Sequence, residues 1–340
     1  MNKSLNDSSS CPLCGNKSGK ILQLFNCENS VDHFGINLSV EEKDFLKTHI
    51  NNLWGSVESY FKMCDNCYLS FASPFVAGDS LLYEKIYQNS IGFPQWKWEF
   101  EKSINKILEI THLLDVSAIN FLEIGAGNGA FVNQILNKVN VKSDNILSTE
   151  FSSYGKSEIE KLGVKCVMEE LSSICLPENK EKFDFICLFQ VLEHLQNLNV
   201  TFQSLSYLLK PNGYIFIAVP SNQHREYFET IGIVEDVPPI HITRWSKQTF
   251  QYVGNKYGWS LVDYEIEPND IKKNIAKYIS YKYKNNKIIN RTNLINNLSI
   301  RLFIKSIIFT PLIFLNLKPL LLIIRQDIGI SQWVQFKKKF

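Results

Sequence analysis

The sequence predicts an α/β fold in which strands alternate with helices along the chain. An apolar strand pattern runs into a glycine-rich turn and then a helix pattern between Phe121 and Val139. Apolar runs at 145–149, 183–189 and 214–219 alternate with helix-like segments, which is the order that βαβ units produce. The 340 residues, 45% hydrophobic and 21% charged, can bury one large core and still carry small appendages.

The glycine-rich turn has the composition of a cofactor-binding loop. Gly125, Gly127 and Gly129 permit sharp turns and a close approach of ligand to backbone. The helix predicted from Ala130 to Val139 would present its N-terminus to the ligand. We predict that the three glycines and Ala126 bind a cofactor. The glycines alone fit a dinucleotide fingerprint as well as the loop that binds S-adenosylmethionine.

Two acids favour S-adenosylmethionine over a dinucleotide. Glu123 lies two residues before the first glycine, where a carboxylate suits a ligand with an ammonium and a sulfonium better than one with phosphates. Glu150 ends the next strand pattern, about 20 residues past the loop, as expected of an acid that accepts ribose hydroxyls. A solvated strand end is the alternative for Glu150. Phe151 is predicted to cover the adenine, and Glu169 is predicted to be a further contact of the cofactor.

Four motifs in order carry a family resemblance: Phe121–Phe131, Glu150–Ser152, Phe183–Leu195 and Leu209–Pro220. They resemble the motifs of class I S-adenosylmethionine-dependent methyltransferases over roughly residues 95–265. The resemblance implies a Rossmann-like, doubly wound, seven-stranded sheet with the cofactor above the C-terminal strand ends, where Gln190 would line it.

A separate constellation of cysteines lies in the first 90 residues. Cys11 and Cys14 form one C-x-x-C pair, and Cys64 and Cys67 form a second, so four thiolates can complete a structural zinc site. The 49 residues between the pairs exceed the usual spacing, but a long insertion adds little loop-closure entropy. Unpaired thiols or a redox pair are the alternative. The polar stretch 1–10 lacks a signal-peptide pattern, which favours reduced cysteines and a cytoplasmic protein.

The cysteine segment also resembles part of a bacterial subset of these methyltransferases. That subset, associated with sugars, polysaccharides or secondary metabolites, has a C-P-x-C-G knuckle and a second knuckle followed by an apolar strand and proline. The long insertion and Tyr68, where the pattern usually has glycine, depart from it. We predict a zinc-ribbon-like module at 1–90, a methyltransferase domain at 91–268 and a basic amphipathic extension at 269–340.

Two histidines are the candidates for chemistry on the methyl acceptor. Methyl transfer needs a base only if the acceptor must lose a proton. His194 follows the predicted fourth strand at its ligand-facing end. His241 lies in a segment resembling the P-P-H-H-x-T-R-W run of the same subset, with Ile240 in place of the first histidine. A structural histidine bonded to backbone is the alternative for His241.

A metal-assisted variant is a further alternative. Small-RNA end methyltransferases and ubiquinone-type O-methyltransferases carry an E-x-x-E-H run that holds a divalent ion near the acceptor hydroxyl. The sequence here offers Gln190, Glu193 and His194 at those positions. Because the first acid is missing, we expect weaker binding of a magnesium-type ion.

The C-terminal segment is strongly basic. Residues 271–340 contain 14 Lys or Arg and one acid, a balance of +13; the whole chain carries +2, so residues 1–270 carry −11. The uncharged run Ser306–Leu317 is shorter than the roughly 18–20 residues of a spanning helix. The composition predicts peripheral contact with an anionic membrane surface. Docking on the acidic body or a homodimer interface is the alternative, and nucleic-acid binding is the least favoured option.

These observations predict an S-adenosylmethionine-dependent methyltransferase that acts on a hydroxyl, amine or carbon of a small-molecule, sugar or glycan acceptor. An NAD-dependent sugar dehydrogenase is the rival enzyme, and it has no use for the acid at Glu123. A cofactor-binding scaffold without catalysis, which joins partners through the cysteine module and the tail, is the rival from another class.

Overall fold

The computed structural model describes residues 9–34, 38–87, 94–112, 116–282, 321, 324 and 329–339. The chain divides into two compact units. Unit 1 is Met1–Asn222, Asp236–Glu265 and Ser331–Phe340, and unit 2 is Gln223–Glu235 and Ile266–Ile330.

The strands of the described part are β1 (Gly19–Asn26), β2 (Glu58–Cys64), β3 (Ser70–Ser73), β4 (Phe121–Ile124), β5 (Ile146–Thr149), β6 (Lys165–Val167), β7 (Phe183–Phe189), β8 (Leu209–Pro220), β9 (Thr243–Arg244), β10 (Trp259–Ile266) and β11 (Ser331–Lys338). The α-helices are α1 (Cys27–Phe34), α2 (Val40–Trp54), α3 (Ser80–Tyr87), α4 (Trp98–Thr111), α5 (Ala130–Gln134), α6 (Ser153–Lys161), α7 (Leu198–Leu208), α8 (Asn222–Thr230), α9 (Lys247–Tyr257) and α10 (Ile271–Lys282).

The larger sheet of unit 1 has the strand order β10-β11-β8-β7-β4-β5-β6. The pairs β4·β5, β5·β6, β4·β7 and β7·β8 are parallel, and β11 runs antiparallel to β8. The four apolar runs of the sequence form β4, β5, β7 and β8, which confirms the predicted α/β fold. The helix predicted to follow β4 is α-helical only over Ala130–Gln134 and continues as a π-helical turn over Ile135–Val139.

The strand β11 lies inside the sheet, between β8 and β10, whereas its residues were predicted to be part of the C-terminal extension. It pairs with β8 from Ser331 opposite Pro220 to Lys337 opposite Tyr214. The strand ends in lysines, and the segment before it is basic. The composition therefore indicated a basic tail where the structure has a core strand. The sheet therefore extends beyond the predicted boundary at residue 268.

An aromatic row crosses one face of this sheet. Phe121 stacks on Phe185 at 4.8 Å between ring centroids, Phe185 lies 6.1 Å from Phe216, and Phe216 lies 5.6 Å from Trp333. All four side chains are buried. The row joins β4, β7, β8 and β11, so the last strand along the chain belongs to the same core as the first strand of the cofactor loop.

The smaller sheet of unit 1 has the order β1-β2-β3-β9, and its pairs are antiparallel. Three strands come from the segment predicted as a separate module, but the fourth, β9, comes from Thr243–Arg244. The fold of the first 90 residues is therefore completed by the segment that follows His241.

Unit 2 has a small apolar core of its own. Phe228, Ile233, Tyr278 and Ile279 are buried together between α8 and α10. The uncharged run Ser306–Leu317 of the predicted membrane-binding segment lies outside the described residues. Within the described part of the chain, none of the helices combines the length and the apolar character needed to cross a membrane.

Candidate functional site

The glycine loop lies at the point where the sheet reverses its order. β4 has β5 and β6 on one side and β7 and β8 on the other, so the loop after β4 opens into the crevice where such folds bind ligands. Gly125, Gly127 and Gly129 have φ angles of 67°, 57° and 78°. Only glycine adopts this left-handed conformation without strain. A Cβ at Gly125 would come within 2.5 Å of a Val191 methyl group, so the first glycine is also required by packing.

Glu150 is held against this loop by hydrogen bonds. Its carboxylate accepts from the Gly127 backbone N–H at 2.9 Å and from the Ser152 N–H at 2.8 Å. The two parallel strands β4 and β5 end at the same edge, which brings the acid and the glycines together. Glu150 is thus a part of the loop structure, and the alternative of a free solvated strand end is not what the geometry shows.

Glu123 is buried beneath the same loop. The side-chain oxygen Oε2 has no hydrogen-bond partner among the described residues. Burial raises the pKa of the Glu123 carboxyl to about 8, although the nearby charge of Lys97 opposes the shift. Burial keeps this carboxyl group largely protonated. A positively charged ligand that binds beside it stabilises the ionised form.

The other predicted cofactor residues differ in exposure. Ala126 is buried in the loop, and its N–H donates to the Thr149 carbonyl at 3.0 Å. Phe151 leaves 63% of its surface exposed immediately after Glu150, so one ring face is open to a ligand. Glu169 is exposed in the turn after β6. Sequence reasoning missed Gly155, where a Cβ would lie 2.3 Å from the Gly127 carbonyl oxygen, because only the fold brings α6 onto the loop.

Gln190 follows β7 at the same edge, with a φ of 58°. Its side-chain amide donates to Glu99 Oε1 at 3.0 Å and to Ser331 Oγ at 3.1 Å. The amide thus ties α4 and β11 to the end of β7. A direct contact of Gln190 with the cofactor stays a prediction.

His194 lies in the short 3₁₀ turn Leu192–His194 after β7. Its Nδ1 is 2.7 Å from the Ile240 carbonyl oxygen and 2.9 Å from the Tyr83 hydroxyl. Because a carbonyl can only accept, the partners assign the proton of the neutral ring to Nδ1. Burial lowers the pKa of His194 to about 3, so the ring is neutral at physiological pH.

His241 is paired with Asp236, which sequence reasoning did not identify. Nδ1 of His241 lies 2.7 Å from Asp236 Oδ1, and the His194 and His241 ring centroids are 4.7 Å apart. Burial disfavours the charged ring, but the hydrogen bond and charge of Asp236 outweigh it and raise the pKa of His241. Asp236 itself has a φ of 53°, a strained conformation that is often found at functional sites.

Glu193 lies close to the two histidines. Both of its carboxylate oxygens are buried without a hydrogen-bond partner among the described residues, and burial raises the pKa of Glu193 to about 7. One ligand atom each of Glu193, His194 and His241 lies within 4.8 Å of the others. The sequence motif predicted Gln190, Glu193 and His194 as the group near a metal ion. The Gln190 amide bonds to Glu99 and Ser331 instead, and His241 is the third member of the cluster.

Arg244 lies next to Asp236 and supports this group from the smaller sheet. Its guanidinium lies 3.8 Å above the Phe61 ring of β2 and donates to the Asp236 carbonyl oxygen at 3.2 Å. It therefore links the loop of His241 to the smaller sheet.

The four cysteines of the two knuckles meet in one cluster. The Sγ atoms of Cys11 and Cys67 are 3.5 Å apart, those of Cys14 and Cys64 are 3.4 Å apart, and all four lie within 4.8 Å of one another. These separations are too long for disulfides and bracket the roughly 3.8 Å between sulfurs of a tetrahedral zinc site with bonds of about 2.3 Å. Hydrogen bonding from Cys67 lowers the pKa of Cys11 to about 6, which favours a thiolate there.

The knuckle turns explain one departure from the resembled pattern. Tyr68 has a φ of 60° and Gly15, at the equivalent place after the first pair, has a φ of 77°. The backbone after each pair thus adopts the conformation that favours glycine. Tyr68 adopts the same conformation despite its side chain.

The fold and site together define the class of this part of the chain. A mostly parallel sheet with a glycine loop at its switch point and an acid on the neighbouring strand is an α/β cofactor-binding domain of the Rossmann-like type. Residues 96–264, just under half of the chain, match a family model described as a methyltransferase domain.

Curated relatives match the same region at low identity. The ubiquinone biosynthesis O-methyltransferase of Rickettsia bellii is 25% identical over 138 residues, which cover 38% of this chain and 54% of the relative. The corresponding protein of Rickettsia typhi is 24% identical over 147 residues, 42% of this chain and 55% of the relative. The chain therefore spans about half the length of the curated relatives it matches.

Solved structures also align with the chain. Phosphoethanolamine N-methyltransferase 2 of Haemonchus contortus aligns with a TM-score of 0.46 at 12% identity, over 89% of this chain and 75% of that protein. An S-adenosylmethionine-dependent methyltransferase of Archaeoglobus fulgidus aligns with a TM-score of 0.43 at 15% identity, over 77% and 100%.

Proposed function

We propose that this protein is an S-adenosylmethionine-dependent methyltransferase. The observation that carries the proposal is the buried carboxyl of Glu123 beneath a glycine loop that Glu150 braces. S-adenosylmethionine brings an ammonium and a sulfonium, whose charges favour the ionised form of Glu123. A dinucleotide brings phosphates instead, and these would be repelled by the same carboxylate.

The loop and its neighbours supply the binding surface. The left-handed glycines leave room above the loop, and Phe151 presents an exposed ring beside Glu150. We assign the amino-acid end of the cofactor to the loop side and its ribose to Glu150, with the adenine near Phe151. Glu150 has oxygen lone pairs beyond the two backbone bonds it already accepts.

The bound cofactor supplies a methyl group on a positively charged sulfur. His241 then acts as the base: Nδ1–H donates to Asp236, which orients Nε2 toward the acceptor. Nε2 would take the proton that the acceptor hydroxyl loses on methylation, and Asp236 would stabilise the resulting imidazolium. His194, neutral and fixed by the Ile240 carbonyl, accepts a hydrogen bond at its own Nε2.

The two histidines therefore have different roles because their surroundings separate their pKa values. His194 is held neutral, whereas His241 is tuned upward from its ordinary value. A base of this kind suits a hydroxyl acceptor, which must lose a proton, and the curated relatives are named as O-methyltransferases. We propose a hydroxyl group of a sugar, glycan or other small molecule as the acceptor.

Calorimetry with S-adenosylmethionine and NAD tests the cofactor assignment. We expect binding of S-adenosylmethionine and of its product S-adenosylhomocysteine, and no heat with NAD. Incubation with methyl-labelled S-adenosylmethionine and candidate glycans then tests transfer. Binding of NAD alone would support the dehydrogenase, and binding without transfer to any acceptor would support the scaffold.

A metal-assisted reaction is a second candidate chemistry at the same acceptor site. Glu193, His194 and His241 offer a carboxylate and two imidazoles close enough for one cation. Each Nδ1 already donates to an oxygen, as the outer hydrogen bonds of metal-binding histidines do. Transfer that disappears with a chelator and returns with Mg²⁺ or Mn²⁺ would favour this chemistry, and transfer unaffected by the chelator would leave His241 as the base.

A further inference from the structure

We propose that Ser30 and Tyr83 are positioning residues for the histidine pair, through which the helices α1 and α3 of the N-terminal segment hold the acceptor half of the site. The inference rests on the proposed function for its catalytic consequence. Its structural part concerns only the loop Asp236–Arg244, which carries His241, and the turn that carries His194.

The loop is fixed from two sides by its backbone. On the side of the smaller sheet, the Ala72 N–H donates to the Ile242 carbonyl at 2.8 Å, and the Gly78 N–H donates to the Pro239 carbonyl at 2.8 Å. On the side of the larger sheet, the Ile242 N–H donates to the Glu193 carbonyl at 2.9 Å. The segment with His241 therefore bridges the N-terminal strands and the turn after β7.

Ser30 adds a buried side-chain bond to this loop. The residue lies in α1 with no exposed surface, and its hydroxyl donates to the Pro238 carbonyl at 2.6 Å. Pro238 is three residues before His241 and has no N–H of its own with which to hold the loop. The hydroxyl of Ser30 is thus a direct constraint on the loop's backbone.

Tyr83 reaches the other histidine from α3. Its hydroxyl lies 2.9 Å from His194 Nδ1 and 3.4 Å from the Ile240 carbonyl oxygen, and the two rings meet edge to face at 5.9 Å. One hydroxyl therefore contacts the first histidine and the residue next to the second. Because the ring and the hydroxyl both pack on His194, they limit its orientation as well as its position.

The cysteine cluster lies at the far end of the same support. The second knuckle, Cys64–Cys67, is the turn that joins β2 to β3, and the Cys64 N–H donates to the Leu69 carbonyl at 2.9 Å. β3 pairs directly with β9, with Phe71 opposite Thr243. Whatever binds the four thiolates therefore fixes a hairpin whose second strand, β3, pairs with β9, the strand that follows His241.

None of these contacts reaches the cofactor side in the described part of the chain. The glycine loop is held by Glu150, by the Thr149 carbonyl and by α6. Loss of Ser30 or Tyr83 contacts should therefore move the histidines and leave cofactor binding intact. A displacement on the order of 1 Å at a catalytic group is enough to lower turnover about 100-fold.

The test uses the full chain with Ser30→Ala and Tyr83→Phe, which remove one hydroxyl each. In ¹⁵N-labelled protein we expect changed ring-nitrogen shifts for His241 in both variants, with a dissociation constant for S-adenosylmethionine within about twofold of the wild type. Turnover, followed as S-adenosylhomocysteine released with an acceptor that gives label transfer, should fall at least tenfold. The acceptor KM should rise less than turnover falls.

Two matched controls separate positioning from loss of a hydroxyl. Ser59→Ala removes a buried hydroxyl of β2 that has no partner among the described residues, and Tyr207→Phe removes a hydroxyl that donates to the Leu176 carbonyl. Both should leave the His241 signal unchanged. An unchanged His241 signal in Ser30→Ala and Tyr83→Phe overturns the proposal, whatever the turnover. A wild type that neither binds S-adenosylmethionine nor transfers its methyl group would sink the proposed function instead, since the histidine signals are read without cofactor.

Discussion

The carboxyl group of Glu123 combines two properties that seldom occur together, burial of the side chain to 5% exposure and an oxygen without a partner among the described residues. Its pKa of about 8 means that at pH 7 most apo molecules carry it protonated. A cationic ligand favours the ionised form, so binding must release a proton below that pKa. The pH dependence of binding therefore reports this single side chain.

We predict that affinity for S-adenosylmethionine, corrected for titration of the ligand's own amine, rises by up to about tenfold per pH unit between pH 6 and 8. Glu123→Gln should bind about tenfold more weakly at pH 8 and lose most of this dependence. Calorimetry in two buffers of different ionisation enthalpy measures both the affinity and the released proton. Equal pH dependence in the variant and the wild type would contradict the prediction.

Asp236 determines the protonation of His241. Its carboxylate favours the imidazolium, so Asp236→Asn should lower the pKa of His241. The base is active above its pKa, so in this variant the rise of turnover with pH should shift to lower pH. The plateau of turnover should also be lower, because the base is weaker.

Histidine NMR titration measures the shift directly. Asp79→Asn is a matched control, because Asp79 holds His49 by a similar bond of 2.9 Å and should leave His241 unchanged. An unaltered His241 titration in Asp236→Asn would refute the assigned role.

The residue scale also shows what the sequence can and cannot predict. Gly125, Glu150 and the cysteine pairs stand in short motifs, so local spacing is enough to select them. Asp236 and Tyr83 carry no such signal. Tyr83 meets its partner only across 111 positions, and Asp236 is recognisable only once its strained backbone turns the carboxylate onto His241.

At the scale of elements, β11 contributes more to the core than its composition suggests. Trp333 is fully buried, stacks on Phe216, and donates its indole N–H to Ser103 Oγ at 2.8 Å. We predict that Trp333→Ala lowers the free energy of unfolding by about 3–5 kcal/mol. Urea denaturation followed by circular dichroism measures this.

Trp96→Ala serves as the comparison, because Trp96 is 57% exposed and should change stability by less than about 0.5 kcal/mol. Similar losses in the two variants would mean that β11 is not a core strand. β11 is buried on both faces over its first six residues, but the basic residues around it assigned it to the tail, which is why the sequence boundary differed.

The cysteine cluster makes a prediction about metal content. We expect one zinc ion per purified chain by mass spectrometry, and its loss in Cys64→Ser together with a markedly lower melting temperature. Cys187→Ser is the control, because Cys187 is buried in β7 away from the knuckles and should retain the metal. A stable, metal-free wild type would overturn the zinc assignment.

At the scale of the whole molecule, charge is divided unequally along the chain, with +13 on residues 271–340 and −11 on residues 1–270. We propose that the basic segment contacts an anionic membrane surface. Deleting residues 271–340 would also remove β11, so the informative variant replaces only residues 283–328 with a Gly/Ser linker. We expect it to lose binding to vesicles that contain anionic lipid while retaining the S-adenosylmethionine affinity of the full chain.

Co-sedimentation with anionic and with neutral vesicles measures the effect, and the wild type should bind only the former, less strongly at high salt. Equal sedimentation of the variant and the wild type would exclude a membrane role for the segment. A change in oligomeric state in the same variant would favour the homodimer alternative.

The position of β11 has a consequence for how the protein is made. β8 and β10 are joined to each other only through a strand that follows both of them along the chain. During synthesis, β8 and β10 therefore leave the ribosome before β11. The edges that will pair with β11 stay unpaired until it has been synthesised. During that interval the backbone groups of β8 are open to other chains, so aggregation during translation, before the finished protein exists, is the hazard this topology carries.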